Sequence, residues 1–130
     1  MRISMMTAGL LGILLIALSA YVILGRVKFK IDLGDGDNAA MVQRIRAQAN
    51  FVEYVPLALI LLMLVEYASI GPRWLAVAMG GSLVVGRVLH AQGLIASPGA
   101  TVGRFVGTNL TALVIMTGSI ALLGRGAGAW

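Results

Sequence analysis

Residues 46–56 combine side-chain types that could bind and activate a small charged ligand. The segment is Arg-Ala-Gln-Ala-Asn-Phe-Val-Glu-Tyr-Val-Pro, and an apolar stretch follows it. On a helix at ~100° per residue, three polar side chains lie about 40°, −20° and 80° around the axis from Arg46: Asn50, Glu53 and Tyr54. One helix face therefore presents a cation, an amide, a carboxylate and a phenol. Ionisable groups are rare in membrane helices, so this face indicates a functional site.

Further polar residues belong to the same end of the predicted structure. Arg87 and His90 lie near the end of a later apolar stretch, and Arg104 begins the next one. A buried Glu53 needs a cation, because an isolated carboxylate in a low dielectric would take up a proton. We therefore predict a Glu53–Arg87 ion pair. Pro56 removes a helix hydrogen bond and should bend the helix beside Glu53, which would open space for a ligand.

This set of side chains favours a zwitterionic ligand with more than one carboxylate. Arginine binds carboxylates through paired hydrogen bonds, Glu53 would bind an ammonium group, and Asn50 or Gln48 would bind peptide groups. A small acidic peptide fits this description. If the peptide carried a thiol, a nearby arginine would stabilise the nucleophilic thiolate. The bilayer would deliver an apolar second substrate.

The chain as a whole has the composition of an integral membrane protein. Its 130 residues are 59% hydrophobic and only 12% charged, which exceeds what a soluble core requires. A membrane helix needs ~20 mostly apolar residues, and four stretches meet this requirement: residues 3–24, 50–69, 74–95 and 105–124. The sequence therefore predicts an all-α, four-helix membrane bundle in a single domain, residues 1–130.

Cations are distributed unequally between the two ends of the predicted helices. Six lie near one end: Arg26, Lys28, Lys30, Arg44, Arg46 and Arg104. Three lie near the other: Arg2, Arg73 and Arg125. The positive-inside rule then predicts that both termini are outside and that the polar end of the second helix is cytoplasmic. At the outer end of that helix, Glu66 is expected to be solvated or paired with Arg73.

Other functional classes lack the residues they need. The chain has no cysteine and one histidine, so we expect no disulfide, no protein thiolate and no metal site. The aspartates of residues 32–38 break the EF-hand pattern and favour a solvated turn. No basic patch is interleaved with aromatic residues, so no nucleic-acid partner is expected. A small multidrug exporter would need a carboxylate within residues 3–24, which have none.

Two motifs carry a family resemblance. The run Arg46-Ala-Gln48-Ala-Asn50-x-x-Glu53-Tyr54-x-Pro56 resembles the signature of the MAPEG family, the membrane-associated proteins of eicosanoid and glutathione metabolism. The segment Gly86-Arg87-Val88-Leu89-His90 is similar to the prostaglandin E synthase and microsomal glutathione transferase pattern. The resemblance extends over essentially the whole chain. It implies a homotrimer of four-helix subunits, with glutathione bound between neighbouring subunits at the cytoplasmic end.

The resemblance also implies a role for each matching residue. Glu53 would hold the γ-glutamyl ammonium group of glutathione, and Arg87 would support Glu53. Arg104 lies near the position of the arginine that activates the thiol in the family. The other expected glutathione contacts are Lys28, Arg46, Gln48, Asn50, Tyr54 and His90.

The implied function is that of a bacterial inner-membrane glutathione transferase or peroxidase-like enzyme. It would join the thiolate of glutathione, its co-substrate, to lipophilic electrophiles. Many family members have a tyrosine one turn beyond the histidine, where this chain has Leu94, so one hydroxyl near the thiol is missing. The alternative is a non-catalytic lipid- or glutathione-binding membrane scaffold with the same fold.

Overall fold

A computed structural model describes residues 1–129, so residue 130 of the predicted domain lies outside the described part. The regular structure of residues 1–129 is entirely helical. It consists of α1 (Arg2–Phe29), α2 (Ala39–Tyr67), α3 (Arg73–Ala96) and α4 (Val102–Gly126). Each helix is long and apolar enough to cross a membrane. These findings confirm the predicted all-α, four-helix membrane bundle.

Helix α2 extends well beyond the apolar stretch that predicted it. It begins at Ala39 rather than near residue 50, because the side chain of Asn38 caps it by accepting a hydrogen bond from the backbone N–H of Met41 at 3.0 Å. Thr101 caps α4 in the same way, with Arg104 as the donor at 3.3 Å. Apolar length marks the part of a helix that lies in the bilayer, whereas polar caps mark where the helix begins. Arg46 therefore lies inside α2, two turns from its start.

Small residues let α3 and α4 approach each other closely. A Cβ atom added to Gly107 would lie 2.7 Å from both the Cβ and the backbone nitrogen of His90. One added to Gly103 would lie 2.8 Å from the backbone oxygen of Leu89. Contacts this short leave no room for a side chain, so glycine permits the backbones to pack together. This packing holds His90 against the beginning of α4.

At the opposite end of the bundle, Glu66 caps α1 from the neighbouring helix. Its carboxylate accepts hydrogen bonds from the backbone N–H groups of Ile3 at 3.0 Å and Ser4 at 2.8 Å, and from the hydroxyl of Ser4. The expectation that Glu66 is solvated or paired with Arg73 was wrong. The first N–H groups of a helix have no partner within it and carry a partial positive charge, so they bind a nearby carboxylate. This cap fastens α1 to α2.

The outward surfaces of the helices are apolar along most of their length. Among the most exposed large side chains are Ile13, Ile16, Val27, Phe105 and Leu123, each more than 70% exposed. A surface of this kind would drive aggregation in water, whereas in a bilayer it contacts acyl chains. The lateral faces of this bundle are therefore available to lipid or to other membrane-embedded chains.

The close approach of α3 and α4 can be tested with two glycine substitutions. We expect Gly107→Ala to lower the midpoint of thermal unfolding in detergent, because overpacking a tight contact typically costs ~1–3 kcal/mol. Gly81→Ala is the matched control, since a Cβ there meets nothing within 4 Å. The control should leave the midpoint unchanged or raise it slightly through better helix propensity. Thermal unfolding is monitored by circular dichroism. Equal midpoints for the two variants would contradict the described packing.

Candidate functional site

A cavity of about 350 Å³ lies at the end of the bundle where α2 begins and α3 ends, which we call the polar end. One wall is formed by the first three turns of α2: Ala39, Val42, Gln43, Arg46 and Asn50. The other walls are His90 and Leu94 of α3, Pro98 of the connection and Arg104 of α4. Four residues singled out in the sequence, Arg46, Asn50, His90 and Arg104, thus surround one space.

A buried guanidinium fixes the wall that α2 contributes. Arg87 is only 2% exposed, and its Nη2 donates to Oδ1 of Asn50 at 2.9 Å while its Nη1 donates to the backbone oxygen of Asn50 at 3.3 Å. The ring of Tyr54 lies 6.0 Å from the guanidinium carbon. Because arginine has only donors, the oxygen of the Asn50 amide must face Arg87. The Nδ2 group of Asn50 is left as its donor toward a ligand.

The predicted Glu53–Arg87 ion pair was wrong. Glu53 lies instead 3.6 Å from Nη1 of Arg46, and both side chains are about half exposed. The reason is rotational: Glu53 lies only about 20° around α2 from Arg46, whereas Arg87 contacts the helix at Asn50 and Tyr54, which lie about 60° and 100° from Glu53. An exposed pair contributes at most ~1 kcal/mol, so Glu53 can exchange Arg46 for another cation at little cost.

The guanidinium of Arg104 is held at the rim of the cavity by the α3–α4 connection. Its Nη1 donates to the backbone oxygens of Pro98 at 3.1 Å and Gly99 at 2.5 Å. Its Nε and Nη2 have no hydrogen bond to another group within residues 1–129. The connection therefore orients Arg104, and the remaining N–H groups can bind an anion.

Four other predicted site residues lie outside the walls of this cavity. Gln48 donates a hydrogen bond of 2.8 Å from Nε2 to the hydroxyl of Ser19 in α1. Lys28 lies near the end of α1, with its Nζ 5.6 Å from the ring of Phe29. Glu53 and Tyr54 are exposed on the outward face of α2. One chain alone therefore brings together only part of the predicted set.

Pro56 lies within α2, which continues as one helix to Tyr67. It lines a second cavity of about 270 Å³ between α1 and α2, together with apolar side chains that include Leu11 and Phe51. None of the side chains that line this cavity is polar. The space beside Pro56 is thus apolar, and it suits an acyl chain or another apolar group better than a charged ligand.

Comparison with known proteins identifies the family. Residues 4–124 match the family model of MAPEG. The chain belongs to the MAPEG family. It is also 31% identical over 91 residues to inner membrane protein YecN of Escherichia coli strain K12. The aligned region covers 70% of this chain and 69% of YecN. YecN of Escherichia coli O6:H1 matches to the same extent. No solved structure gives a significant match.

In this MAPEG protein the part of α2 that lines the cavity begins at Ala39, seven residues before the first residue of the family motif, Arg46. Gln43 lies about 60° around the helix from Arg46, and Asn50 about 40°, so the three side chains share one face. Gln43 was not predicted as a site residue because the polar segment read as helical began at Arg46 and the apolar stretch began at residue 50. The capping potential of Asn38, followed by a run without glycine or proline, would have extended the helix to include it.

The described residues offer no metal site beside this cavity. Within residues 1–129 no group of three or more histidine, aspartate or glutamate side chains is close enough to hold a metal ion. The polar wall consists mainly of hydrogen-bond donors, namely two arginines and the free amide hydrogens of Asn50. Leu94 places an apolar, buried side chain beside them. This MAPEG cavity is therefore suited to an organic anion.

The dependence of the site on Asn50 can be tested by thermal unfolding in detergent. We expect Asn50→Leu to lower the free energy of unfolding by ~1–3 kcal/mol, because it removes the side-chain acceptor of the buried Arg87 and leaves only the backbone oxygen at position 50. Asn50→Asp should be tolerated because it supplies a counterion. Asn109→Leu is the matched control on the exposed face of α4, where the side chain donates only to the backbone oxygen of Phe105. Its effect should stay within about 0.5 kcal/mol. Similar losses for Asn50→Leu and Asn109→Leu would contradict the role assigned to Asn50.

Proposed function

We propose that this MAPEG protein is a glutathione transferase or peroxidase-like enzyme of the bacterial inner membrane. It joins the thiolate of glutathione to lipophilic electrophiles. The observation that supports this most strongly is the donor-rich cavity at the polar end, where Arg46 and Arg104 lie around one space with Asn50 and His90. A cavity with two guanidinium groups favours a ligand with at least two anionic groups.

The proposal gives each wall of the cavity a part in binding glutathione. Arg46 binds a carboxylate, and Glu53, which lies outside the cavity walls, exchanges Arg46 for the γ-glutamyl ammonium group. Asn50 donates from Nδ2 to a peptide oxygen, since its own oxygen is taken by Arg87. His90 lines the cavity from α3, where it is 6% exposed. Each role matches the hydrogen-bonding capacity of the side chain.

Arg104 is the proposed catalytic residue. Its Nε and Nη2 groups stabilise the thiolate of glutathione while the sulfur attacks the electrophile, forms a bond to carbon and displaces the leaving group. The proton of the thiol passes to solvent when the thiolate forms. The α3–α4 connection contributes by fixing the guanidinium through Nη1, so that its remaining donors need not reorient during the reaction.

A homotrimer would complete the site. Glu53 and Tyr54 are exposed on the outward face of α2, where a neighbouring copy could cover them. Lys28, at the exposed end of α1, and Gln48, bonded to α1, would meet glutathione at such a boundary. The neighbouring copy would thereby enclose a ligand that a single chain leaves partly open.

The proposed location follows from the cation distribution and from YecN. With six cations near the polar end and three near the other, the cavity would be cytoplasmic and both termini outside. YecN is an inner membrane protein, which supports the same membrane for this chain. Lipophilic electrophiles would enter from the bilayer, along the apolar lateral faces.

A non-catalytic scaffold that binds lipid or glutathione is the second candidate. Leu94 favours it, because this buried apolar side chain lines the cavity where many MAPEG enzymes have a tyrosine. A missing hydroxyl weakens thiolate stabilisation without abolishing ligand binding. Binding of glutathione without turnover would select this candidate.

The enzyme proposal is tested by conjugation of glutathione to a model aryl halide with detergent-purified protein. We expect Arg104→Ala to lower kcat by about 10²-fold, the typical effect of removing one donor that stabilises developing negative charge. Arg73→Ala is the matched control, because it removes an exposed arginine at the opposite end. It should leave kcat unchanged. Full activity in Arg104→Ala would contradict the role of Arg104.

A further inference from the structure

Gln43 is a cavity residue to which neither the family motif nor the proposed mechanism assigns a role. It lies one turn before Arg46 and two turns before Asn50 on the same face of α2. Its Nε2 donates to the backbone oxygen of Leu94 at 3.4 Å. Leu94 lies in the last turn of α3, where carbonyl oxygens have no partner within the helix, and residue 98, four residues later, is a proline without an N–H.

The bond to Leu94 fixes the direction of the Gln43 amide. A carbonyl oxygen only accepts, so the nitrogen of the amide must face Leu94 and the oxygen Oε1 must face away. Within residues 1–129 no group donates a hydrogen bond to Oε1. Gln43 therefore brings an unused acceptor to the wall of the cavity.

The other side chains of the cavity make this acceptor distinctive. Arg46 and Arg104 have only donors, and the oxygen of Asn50 already accepts from Arg87, so among the lining side chains only His90, as a neutral imidazole, could also accept a hydrogen bond. A ligand must accordingly present acceptors to most of the wall and one donor to Gln43. A simple polyanion has no such donor at neutral pH, whereas a peptide has its backbone N–H.

We infer that Gln43 is a specificity-determining residue that selects peptide ligands by accepting a hydrogen bond from a peptide N–H. The inference rests on the proposed function. In glutathione the ammonium group is assigned to Glu53 and the thiolate to Arg104, so the donors left for Oε1 are the two peptide N–H groups. Gln43 thus distinguishes glutathione from non-peptide carboxylates and thiols of similar charge.

Calorimetric titration of detergent-purified protein tests this pairing of protein and ligand atoms. The probes are glutathione and two analogues, in each of which an ester oxygen replaces one of the two peptide N–H groups. We expect the wild type to bind one ester roughly 2–10-fold more weakly than glutathione, as loss of one hydrogen bond implies. Gln43→Met should bind glutathione more weakly than the wild type does, by a similar factor. It should bind that ester with the same affinity as the wild type.

Two further variants separate recognition from a purely structural effect. Gln43→Glu keeps an acceptor oxygen but loses the donor to Leu94, so it should still discriminate between glutathione and the ester. If Gln43 only caps α3, both Gln43 variants will show the same change, which would overturn the inference. Gln92→Met makes the same substitution at an exposed glutamine of α3 outside the cavity and should behave as the wild type.

The remaining outcomes separate this inference from the proposed function. Equal affinity of the wild type for glutathione and both esters would overturn the role of Gln43 while leaving glutathione binding intact. The role of Gln43 would also be overturned if Gln43→Met still preferred glutathione to the ester by the same factor as the wild type. A wild type that binds none of the three probes would overturn the proposed function, and the inference with it.

Discussion

The hydrogen bonds between Arg87 and Asn50 are the constraint on which the polar end of the bundle depends. A guanidinium that is 2% exposed must be satisfied by acceptors, and here both come from one residue of the neighbouring helix. This requirement fixes the rotation of α2 relative to α3. The rotation turns Gln43, Arg46 and Asn50 toward the cavity and leaves Glu53 facing outward.

The two ends of the bundle are fastened by different polar contacts, with apolar packing between them. At one end Glu66 caps α1, and at the other Arg87 holds α2 against α3 while the connection after α3 holds Arg104. Because Glu66, the Ser4 hydroxyl and the first N–H groups of α1 are bonded to one another, they offer little to a ligand. At the polar end, donors on Asn50 and Arg104 and the acceptor of Gln43 remain unused, which is what a binding site requires.

The fold could be predicted from apolar length alone, but the site could be predicted only in part. Spacing on a single helix placed Arg46 and Asn50 on one face, whereas the partner of Glu53 depends on how α2 is rotated against α3. Glu66 was misassigned because its partners are backbone N–H groups of a helix distant in sequence, which no side-chain pattern reveals. Gln43 was missed because the cap that begins α2 lies outside the apolar stretch.

Photo-crosslinking most directly tests the claim that the cavity at the polar end is the ligand site. A glutathione derivative with a photoreactive group, bound to the detergent-purified protein and activated by light, would label its neighbours for identification by peptide mass spectrometry. The account predicts labelling within residues 39–50 and 90–104, suppressed by excess glutathione. Suppressible labelling confined to residues 65–76, at the end where Glu66 caps α1, would contradict it.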